Sequence, residues 1–187
     1  AGIMPIGRFL DQSADRHRRA VEINVMGCIN GMHLALPAMV ERGRGHIINI
    51  ASSAGKTPVP GGLTYCGTKA AVIALTETAR VEYADSGVRF TCVMPSFTNT
   101  ELIAGTSGLR FIPTAQPDDV AEAIAAVVAR PTADVFVPKI IGPILNSQPL
   151  IGRRLRDLVN QQLGAYSAFL DFDTKARAEY QHRIDES

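Results

Sequence analysis

The sequence predicts a parallel α/β sheet flanked by helices, followed by a helical extension. Three observations support this prediction. Short runs rich in β-branched residues, typical of buried parallel strands, alternate with longer stretches whose apolar residues recur at three- and four-residue spacing. Glycine and proline stand between the two kinds of segment. Apolar residues make up 46% of the 187-residue chain, which is enough for one domain with a sizeable core.

The first part of the chain contains one long helix and one strand. Residues 1–10 are interpreted as the end of a strand and a loop, broken by glycine and proline. One apolar face predicts a helix from about residue 15 to 41, bent near its end by Pro37 and stopped by Gly43. The apolar run 46–51 then predicts a buried strand of a parallel sheet.

The same alternation continues as far as residue 138. The predicted elements are a helix over 65–83, a strand over 88–94, a long loop over 95–116, a helix over 117–129 and a strand over 134–137. The remainder has few strand signals and predicts two helices, over about 149–162 and 173–184. We therefore divide the chain into an α/β part, 1–138, and a helical C-terminal extension, 139–187.

Charge and cysteine content narrow the classes of function. The 19 basic residues are offset by 18 acidic ones, and no basic stripe favours a nucleic-acid partner. Three widely spaced cysteines without a CxxC pair predict neither a zinc site nor a disulfide framework, and they favour a reduced, cytoplasmic setting. The histidines lack partners at metal-ligand spacing, so no metal site is expected.

Hydropathy gives no indication of a membrane span. Purely apolar runs are only a few residues long, whereas a span requires about 20 residues. The segment 149–162 is basic and amphipathic. It is compatible with a helix lying on a membrane surface, or with a helix packed on the substrate side or on a sister subunit. We favour the packed helix over peripheral membrane contact.

The feature with the most direct chemical meaning is Tyr65-Cys66-Gly67-Thr68-Lys69, at the start of a predicted helix. Residues four apart on a helix face the same way, so a phenol and an ammonium project into the same space. A free tyrosine titrates near pH ~10, and a neighbouring cation favours the phenolate. We therefore expect Lys69 to lower the pKa of Tyr65, which would make the phenol a usable proton donor and acceptor. Taken alone, the pattern also fits two exposed residues on one helix that have no catalytic role.

Two further polar residues belong with this pair. Ser52 lies 13 residues before Tyr65, directly after the strand 46–51. A residue at the carboxyl end of a parallel strand points into the crevice where ligands bind, so its hydroxyl can bond the substrate oxygen that Tyr65 protonates. Asn24 lies in the first helix. It is either a side chain that bends the helix by bonding to backbone, or a group that holds a water or a backbone kink beside Lys69.

Together these motifs resemble the short-chain dehydrogenase/reductase family. The sequences N-V-M-G, S-S-A-G, Y-C-G-T-K and V-M-P-S-F-T-N-T occur in the family's order and spacing, within about residues 1–138. The resemblance implies a doubly wound, Rossmann-like parallel sheet that binds NAD or NADP. It identifies this chain as an oxidoreductase in which the cofactor carries the electrons and the protein places the proton.

The resemblance also implies a catalytic role for each motif residue. Tyr65 would be the general acid/base, and Lys69 would lower its pKa and hydrogen-bond the nicotinamide ribose. Ser52 would orient and polarise the carbonyl or hydroxyl, and Asn24 would complete a tetrad through a water relay. Ser53 is the alternative for the role of Ser52. The 13-residue interval to Tyr65 and the following Ala-Gly favour Ser52.

Further residues are expected to contact the cofactor. The resemblance implies contacts from Ala1, Gly2, Tyr65, Lys69, Pro95, Phe97, Thr98 and Thr100. Phe97 would meet the nicotinamide amide through its backbone, and Thr100 through its hydroxyl. Thr98 and Thr100 are also explained by simple loop capping. Ser96 stands where relatives usually have glycine, so the backbone conformation of this turn is open.

The family's glycine-rich fingerprint does not occur in this sequence. Ala1-Gly2 resembles the end of the family's N-A-G motif, so we expect the native chain to continue upstream by roughly 80 to 90 residues. The residue that selects NAD over NADP would lie in that segment, and the preference is therefore not readable.

The expected reaction is interconversion of a secondary alcohol and a ketone on a hydrophobic small molecule. The loop 96–116, by resemblance the substrate lid, carries Leu102, Ile103, Leu109, Phe111 and Ile112, which also fit simple packing. The alternatives are a 3-ketoacyl-thioester reductase, or a catalytically silent binding protein on the same fold. By resemblance, the chain would form a homodimer or homotetramer through its two long helices.

Overall fold

The computed structural model describes residues 2–186. At its centre is a parallel sheet of three strands, in the order β1 (Gly45–Ile50), β2 (Val88–Pro95) and β3 (Asp134–Val137). Gly45 pairs with Val88, and Cys92 pairs with Asp134. A helical crossover connects each strand to the next, as parallel pairing requires. The predicted parallel α/β fold is confirmed.

The described chain contains seven α-helices. They are α1 (Ala14–Val21), α2 (Gly27–Glu41), α3 (Leu63–Glu82), α4 (Pro117–Ala129), α5 (Ile141–Ser147), α6 (Arg153–Gln162) and α7 (Thr174–Glu186). Their starts follow sequence signals. In α4, for example, Pro117 occupies the first position, and the Asp119 carboxylate accepts a hydrogen bond of 2.7 Å from the Gln116 backbone N–H.

The central strand β2 is covered on both faces. Its alternate residues Phe90 and Met94 pack in the clusters that involve α2 and α3, while Val93, on the opposite face, is fully buried. α4 contacts β2 and β3. A nearly continuous apolar run is what a strand buried on both faces requires, and this explains why β2 was readable from sequence.

The first long helix is a continuous rod with one irregular turn. A π-helical turn, Glu22–Met26, joins α1 to α2 and contains the buried Asn24. By length and composition alone the helix Ala14–Glu41 could cross a membrane, contrary to the sequence-based expectation, and core helices and signal sequences both pass the same test. Here α1 contacts α3 and α2 contacts β1.

The C-terminal extension shares a core with the α/β part. Ala168 and Phe169 belong to the same buried cluster as Met4, Val59 and Tyr65. Tyr180 and Ile184 of α7 pack with Ile3 and Ala20 in a second cluster. The extension therefore covers the side of the molecule on which Tyr65 lies.

The structure corrects two expectations about secondary structure. Residues 2–6 are not a strand of the sheet, although Ile3, Met4 and Ile6 are buried. The backbone of Ile3 bonds to the side chain of Asn24, and the Met4 N–H bonds to the hydroxyl of Tyr180. The sequence prediction also missed α5, whose second and third residues are glycine and proline, which usually signal a break.

Candidate active site

The carboxyl ends of the strands meet at one edge of the sheet, where a cavity of about 460 Å³ opens. We call it the main cavity because most of the predicted site residues line it. Its lining includes predicted site residues from separate parts of the chain, namely Gly2, Ser52, Tyr65, Lys69, Pro95, Phe97, Thr98 and Thr100. The crevice outside the carboxyl ends of parallel strands is where α/β proteins bind ligands. Ala1 lies outside the described residues, and Asn24 does not line the cavity.

Ser52 is held at the tip of β1. Its side chain is buried, accepts a hydrogen bond of 3.2 Å from the Ala54 backbone N–H, and donates one of 3.4 Å to the Pro95 carbonyl. It also lies close enough to the Tyr65 phenol to act against the rise of that pKa. Ser53 lines the same cavity, but only Ser52 of the two is placed against the phenol in this way.

The loop after β1 lies directly on α3, which brings Ser52 to Tyr65. A Cβ atom at Gly55 would lie 2.7 Å from the Lys69 carbonyl carbon, so only glycine allows this approach. The predicted pairing of strand tip and helix start is therefore present. It depends on the glycine of the S-S-A-G motif.

The pKa of Tyr65 does not shift in the predicted direction. Tyr65 is 5% exposed, and burial raises the pKa of its phenol to about 12, although the hydrogen bond with Ser52 acts in the opposite sense. The Lys69 ammonium lies 5.9 Å from the centre of the Tyr65 ring, and its charge is not among the causes of the shift. Burial therefore determines the direction of the shift. Spacing along a helix does not reveal how deeply the phenol is buried, so the sequence could not predict this direction.

Lys69 is buried close to the tip of β1. Its Nζ donates a hydrogen bond of 3.0 Å to the Ile50 carbonyl, and burial lowers its pKa. Its ammonium therefore has one backbone acceptor, while the side chain also lines the main cavity. This leaves N–H donors for a ligand that enters the cavity.

Asn24 organises the backbone behind the cavity. Its Oδ1 accepts a hydrogen bond of 2.8 Å from Ile3 N–H, and its Nδ2 donates to the Ile3 carbonyl at 2.9 Å and to Thr68 Oγ1 at 3.0 Å. The π-helical turn places this amide toward residues 2–4 instead of along the helix. Asn24 is thus bonded to backbone, a contact that fits both interpretations of this residue from the sequence. The water relay remains a prediction.

The turn after β2 lies against the same cavity. Ser96 does not adopt a left-handed backbone, so replacing the family's usual glycine causes no strain. Thr98 donates a hydrogen bond of 3.2 Å to the Ser96 carbonyl, and Thr100 donates one of 3.4 Å to the Thr98 carbonyl, which is the loop capping foreseen as an alternative. The carbonyl of Phe97 accepts from Ala115 N–H at 2.9 Å.

The apolar part of the cavity is built from the lid loop and the extension. Leu102, Ile103 and Leu109 of the lid line it, whereas Phe111 is 87% exposed. Ala165 and Phe169 contribute from the extension. The apolar content of the lid therefore includes residues that face the cavity as well as residues that do not.

Phe169 is a residue that sequence reasoning missed. Its ring packs edge-on against Tyr65, with centroids 6.5 Å apart, and lies 5.6 Å from the ring of Phe97. Gly61 and Gly62 form the seat beneath it, because a Cβ at either position would lie within 2.7 Å of Phe169 atoms. A lone phenylalanine among polar helices gives no local signal, but the Gly-Gly pair before Tyr65 does mark a close approach.

The residues present fit a nicotinamide cofactor. A Cβ at Gly2 would lie 3.3 Å from Asn24 Oδ1 and 3.7 Å from Lys69 Nζ, so the glycine keeps clear the space in front of the ammonium. The buried hydroxyl of Ser96 has no hydrogen-bonding partner among the described residues. An ammonium with donors left over beside its bond to Ile50, and an unsatisfied hydroxyl at the same cavity, suit the ribose hydroxyls and carboxamide of such a ligand.

Other candidate residues have structural contacts. His46 Nε2 lies 2.8 Å from Thr91 Oγ1, and burial lowers its pKa. The charged start of α1 is tied to α7, since Arg16 forms a two-bond ion pair with Asp185 at 2.9 and 2.6 Å. Within residues 2–186, no group of three His, Cys, Asp or Glu side chains is arranged to hold a metal ion.

Comparison with known proteins agrees with this geometry. The family model for short chain dehydrogenases matches residues 1–107. A 2,5-dichloro-2,5-cyclohexadiene-1,4-diol dehydrogenase from Sphingobium indicum is 38% identical over 104 residues, which is 56% of this chain and 42% of the relative. An uncharacterized oxidoreductase from Staphylococcus aureus strain USA300 is 32% identical over 135 residues, covering 70% of this chain and 56% of the relative.

A solved structure shows the same fold. The short-chain dehydrogenase from Sphingobium yanoikuyae in complex with NADPH superposes with a TM-score of 0.70 at 26% identity, covering 86% of this chain and 63% of that one. The chain belongs to the short-chain dehydrogenase family. It spans about half the length of the curated relatives it matches, at 42% and 56%.

Proposed function

We propose that this protein is an NAD(P)-dependent oxidoreductase that interconverts a secondary alcohol and a ketone on a hydrophobic small molecule. The observation that carries the proposal is the arrangement of Ser52 and Lys69 around Tyr65 at a cavity that also has a large apolar wall. When bound, the nicotinamide supplies hydride transfer. The protein supplies the proton and the orientation of the substrate.

Each polar residue has a distinct part in this proposal. Tyr65 gives a proton to the carbonyl oxygen in reduction and takes it back in oxidation. The Ser52 hydroxyl would hold the same oxygen, because Ser52 and Tyr65 line the same cavity and Ser52 acts on the phenol. Lys69 would bind the ribose of the cofactor and, when the cavity is filled, favour the ionised phenol. Asn24 fixes residues 2–4 beside the ammonium.

The turn after β2 would hold the nicotinamide ring. Pro95, Phe97, Thr98 and Thr100 line the cavity beside Ser52, and the Ser96 hydroxyl has no partner among the described residues. Gly2 leaves the necessary room beside Lys69. NAD and NADP are both compatible with these residues.

The apolar wall supports a hydrophobic substrate. Leu102, Ile103, Leu109 and Phe169 give the cavity far more apolar than polar surface, so burial of a ring or alkyl group would be favourable at about 25 cal/mol per Å². The Sphingobium indicum relative is named for a cyclic diol, which is a secondary alcohol on an apolar ring. We therefore place a cyclic or branched alcohol ahead of a 3-ketoacyl thioester.

The experiment is a substrate screen with the full-length protein. Cyclohexanol and larger cyclic alcohols would be offered with NAD⁺ and with NADP⁺, and acetoacetyl thioesters with the reduced cofactors, while nicotinamide absorbance is followed. Turnover of the cyclic alcohols with at least one cofactor is expected. Preferential turnover of the thioesters would reassign the substrate, and absence of nicotinamide binding by calorimetry would favour a silent binding protein.

We also propose that the protein assembles as a homodimer or homotetramer in the cytoplasm. Leu34 of α2 is 80% exposed, and Val81 of α3 is 60% exposed, so apolar side chains on both long helices are available to a second copy. All three cysteines are free thiols, as in a reducing compartment. Sedimentation of the full-length protein would test the assembly.

A further inference from the structure

A buried arginine of the extension connects the two sides of the main cavity. Arg177 of α7 is 1% exposed. Its Nη1 donates hydrogen bonds of 3.0 Å to the carbonyls of Leu102 and Ala104, and its Nη2 donates one of 2.6 Å to the carbonyl of Met4. Leu102 and Met4 both line the cavity. One guanidinium therefore joins the lid to the N-terminal segment.

Burying this arginine costs free energy, so its contribution to stability does not by itself explain its presence. Within the described part of the chain no carboxylate pairs with it, and its Nε has no acceptor there. Its charge is compensated by three carbonyls and by the Tyr180 ring, whose centre lies 4.6 Å away. Burying a charge without an ionic partner costs free energy. The geometry it imposes is therefore the feature that needs explanation.

Other contacts of the same helix converge on the same two segments. The Tyr180 hydroxyl accepts a hydrogen bond of 2.9 Å from Met4 N–H. Just before α7, Asp173 N–H donates to the Gly105 carbonyl at 2.8 Å. Arg183 pairs with Glu101 at 2.7 Å. The helix thus holds residues 101–105 at several points, with Arg177 the most deeply buried of them.

We propose that Arg177 is a positioning residue that fixes the lid against residues 2–6 and so determines the size of substrate the apolar wall accepts. The guanidinium fork is suited to this because its planar donors reach three carbonyls from one side chain. A lysine at the position would keep the charge but lose the fork. The specificity part of this proposal rests on the proposed function, whereas the part that concerns the lid does not.

The test uses Arg177→Lys in the full-length protein, with Glu179→Gln as the matched control, since Glu179 is an exposed residue of the same helix. Hydrogen exchange of the lid amides, followed by mass spectrometry, is expected to accelerate about tenfold in Arg177→Lys and to stay unchanged in the control. In turnover assays KM for cyclohexanol should rise about five- to tenfold, KM for propan-2-ol much less, and kcat should change less than KM.

The outcomes separate the two proposals. Unchanged lid exchange in Arg177→Lys would overturn the positioning role, whatever the substrate. Faster exchange with KM values for both alcohols raised equally would overturn the specificity role. If neither alcohol is turned over by the wild type, the exchange result still decides whether Arg177 holds the lid. Arg177→Met, which removes the charge, serves as a second variant if the lysine form does not fold.

Discussion

The two parts of the main cavity differ in where their residues come from along the chain. The polar part is built from short-range units, a strand tip carrying Ser52 and the first turns of α3 carrying Tyr65 and Lys69. The apolar part combines the lid with Phe169, which is 104 residues from Tyr65. The polar part therefore follows from local sequence patterns, whereas the apolar part depends on the path of the extension.

Replacing Tyr65 by Phe tests the polar part most directly. The variant keeps the ring packing against Phe169 but removes the proton that the reaction needs. We expect kcat to fall about 10²- to 10⁴-fold with little change in cofactor binding. Tyr83→Phe, at the other end of α3, is the control and should retain full activity. Near-normal turnover of Tyr65→Phe would contradict the assignment of Tyr65 as the general acid/base.

A pair of serine variants sharpens the assignment within the polar part. Ser52→Ala should lower kcat about 10²-fold, because a donor aimed at the reacting oxygen is lost. Ser53→Ala should stay within about threefold of wild type, since the side chain of Ser53 is not placed against the phenol. If the two effects were reversed, the neighbouring serine would take the catalytic role.

Phe169→Ala tests the apolar part. Truncating a buried phenylalanine costs about 3–5 kcal/mol of stability, and the space it leaves lies beside Tyr65 and over Gly61 and Gly62. We expect KM for bulky alcohols to change about tenfold and kcat to change less. Phe169→Leu, which keeps most of the volume, should restore folding if the alanine variant is too unstable to assay. A fall confined to kcat would mean that Phe169 acts through the phenol.

Asn24→Ala tests the backbone behind both parts. It removes three hydrogen bonds and leaves the amide and carbonyl of Ile3 buried without their partner. The free energy of unfolding should fall by about 1–3 kcal/mol in urea titrations. Asn30→Ala, at an exposed position in α2, should leave it unchanged. Equal effects from both variants would mean that the clamp on Ile3 contributes little.

The pKa of Tyr65 gives the smallest predicted effect. Its folded value of about 12 exceeds that of a free tyrosine, about 10, so the folded state holds this proton more tightly. The resulting stabilisation is complete below about pH 10 and is lost as the pH rises toward about 12. Between about pH 8 and 11, wild type should lose about 1.4 kcal/mol more unfolding free energy than Tyr65→Phe. Equal losses would show that the phenol is not desolvated.

The sequence predicted the fold and the polar part because both depend on local periodicity. Ser52, Tyr65 and Lys69 line one cavity, as their positions at a strand tip and at adjacent turns of one helix indicated. The predicted direction of the Tyr65 pKa shift was wrong, because the residues that bury the phenol, Met4 and Phe169 among them, lie far from it in sequence. Arg177 and Phe169 were not predicted, since nothing near them in sequence shows what they will contact.

The π-helical turn Glu22–Met26 has a consequence for the arrangement of the whole rod. Each residue of an α-helix advances the side chain by about 100° around the helix axis. The wider π-helical turn therefore rotates the side chains of α2 around this axis relative to those of α1. The stripe of α1 that meets α3 and the stripe of α2 that meets β1 are therefore out of phase. Deleting one residue from this turn would make the helix regular. Asn24 could then not face Ile3 while α1 stayed packed on α3 and α2 stayed packed on β1.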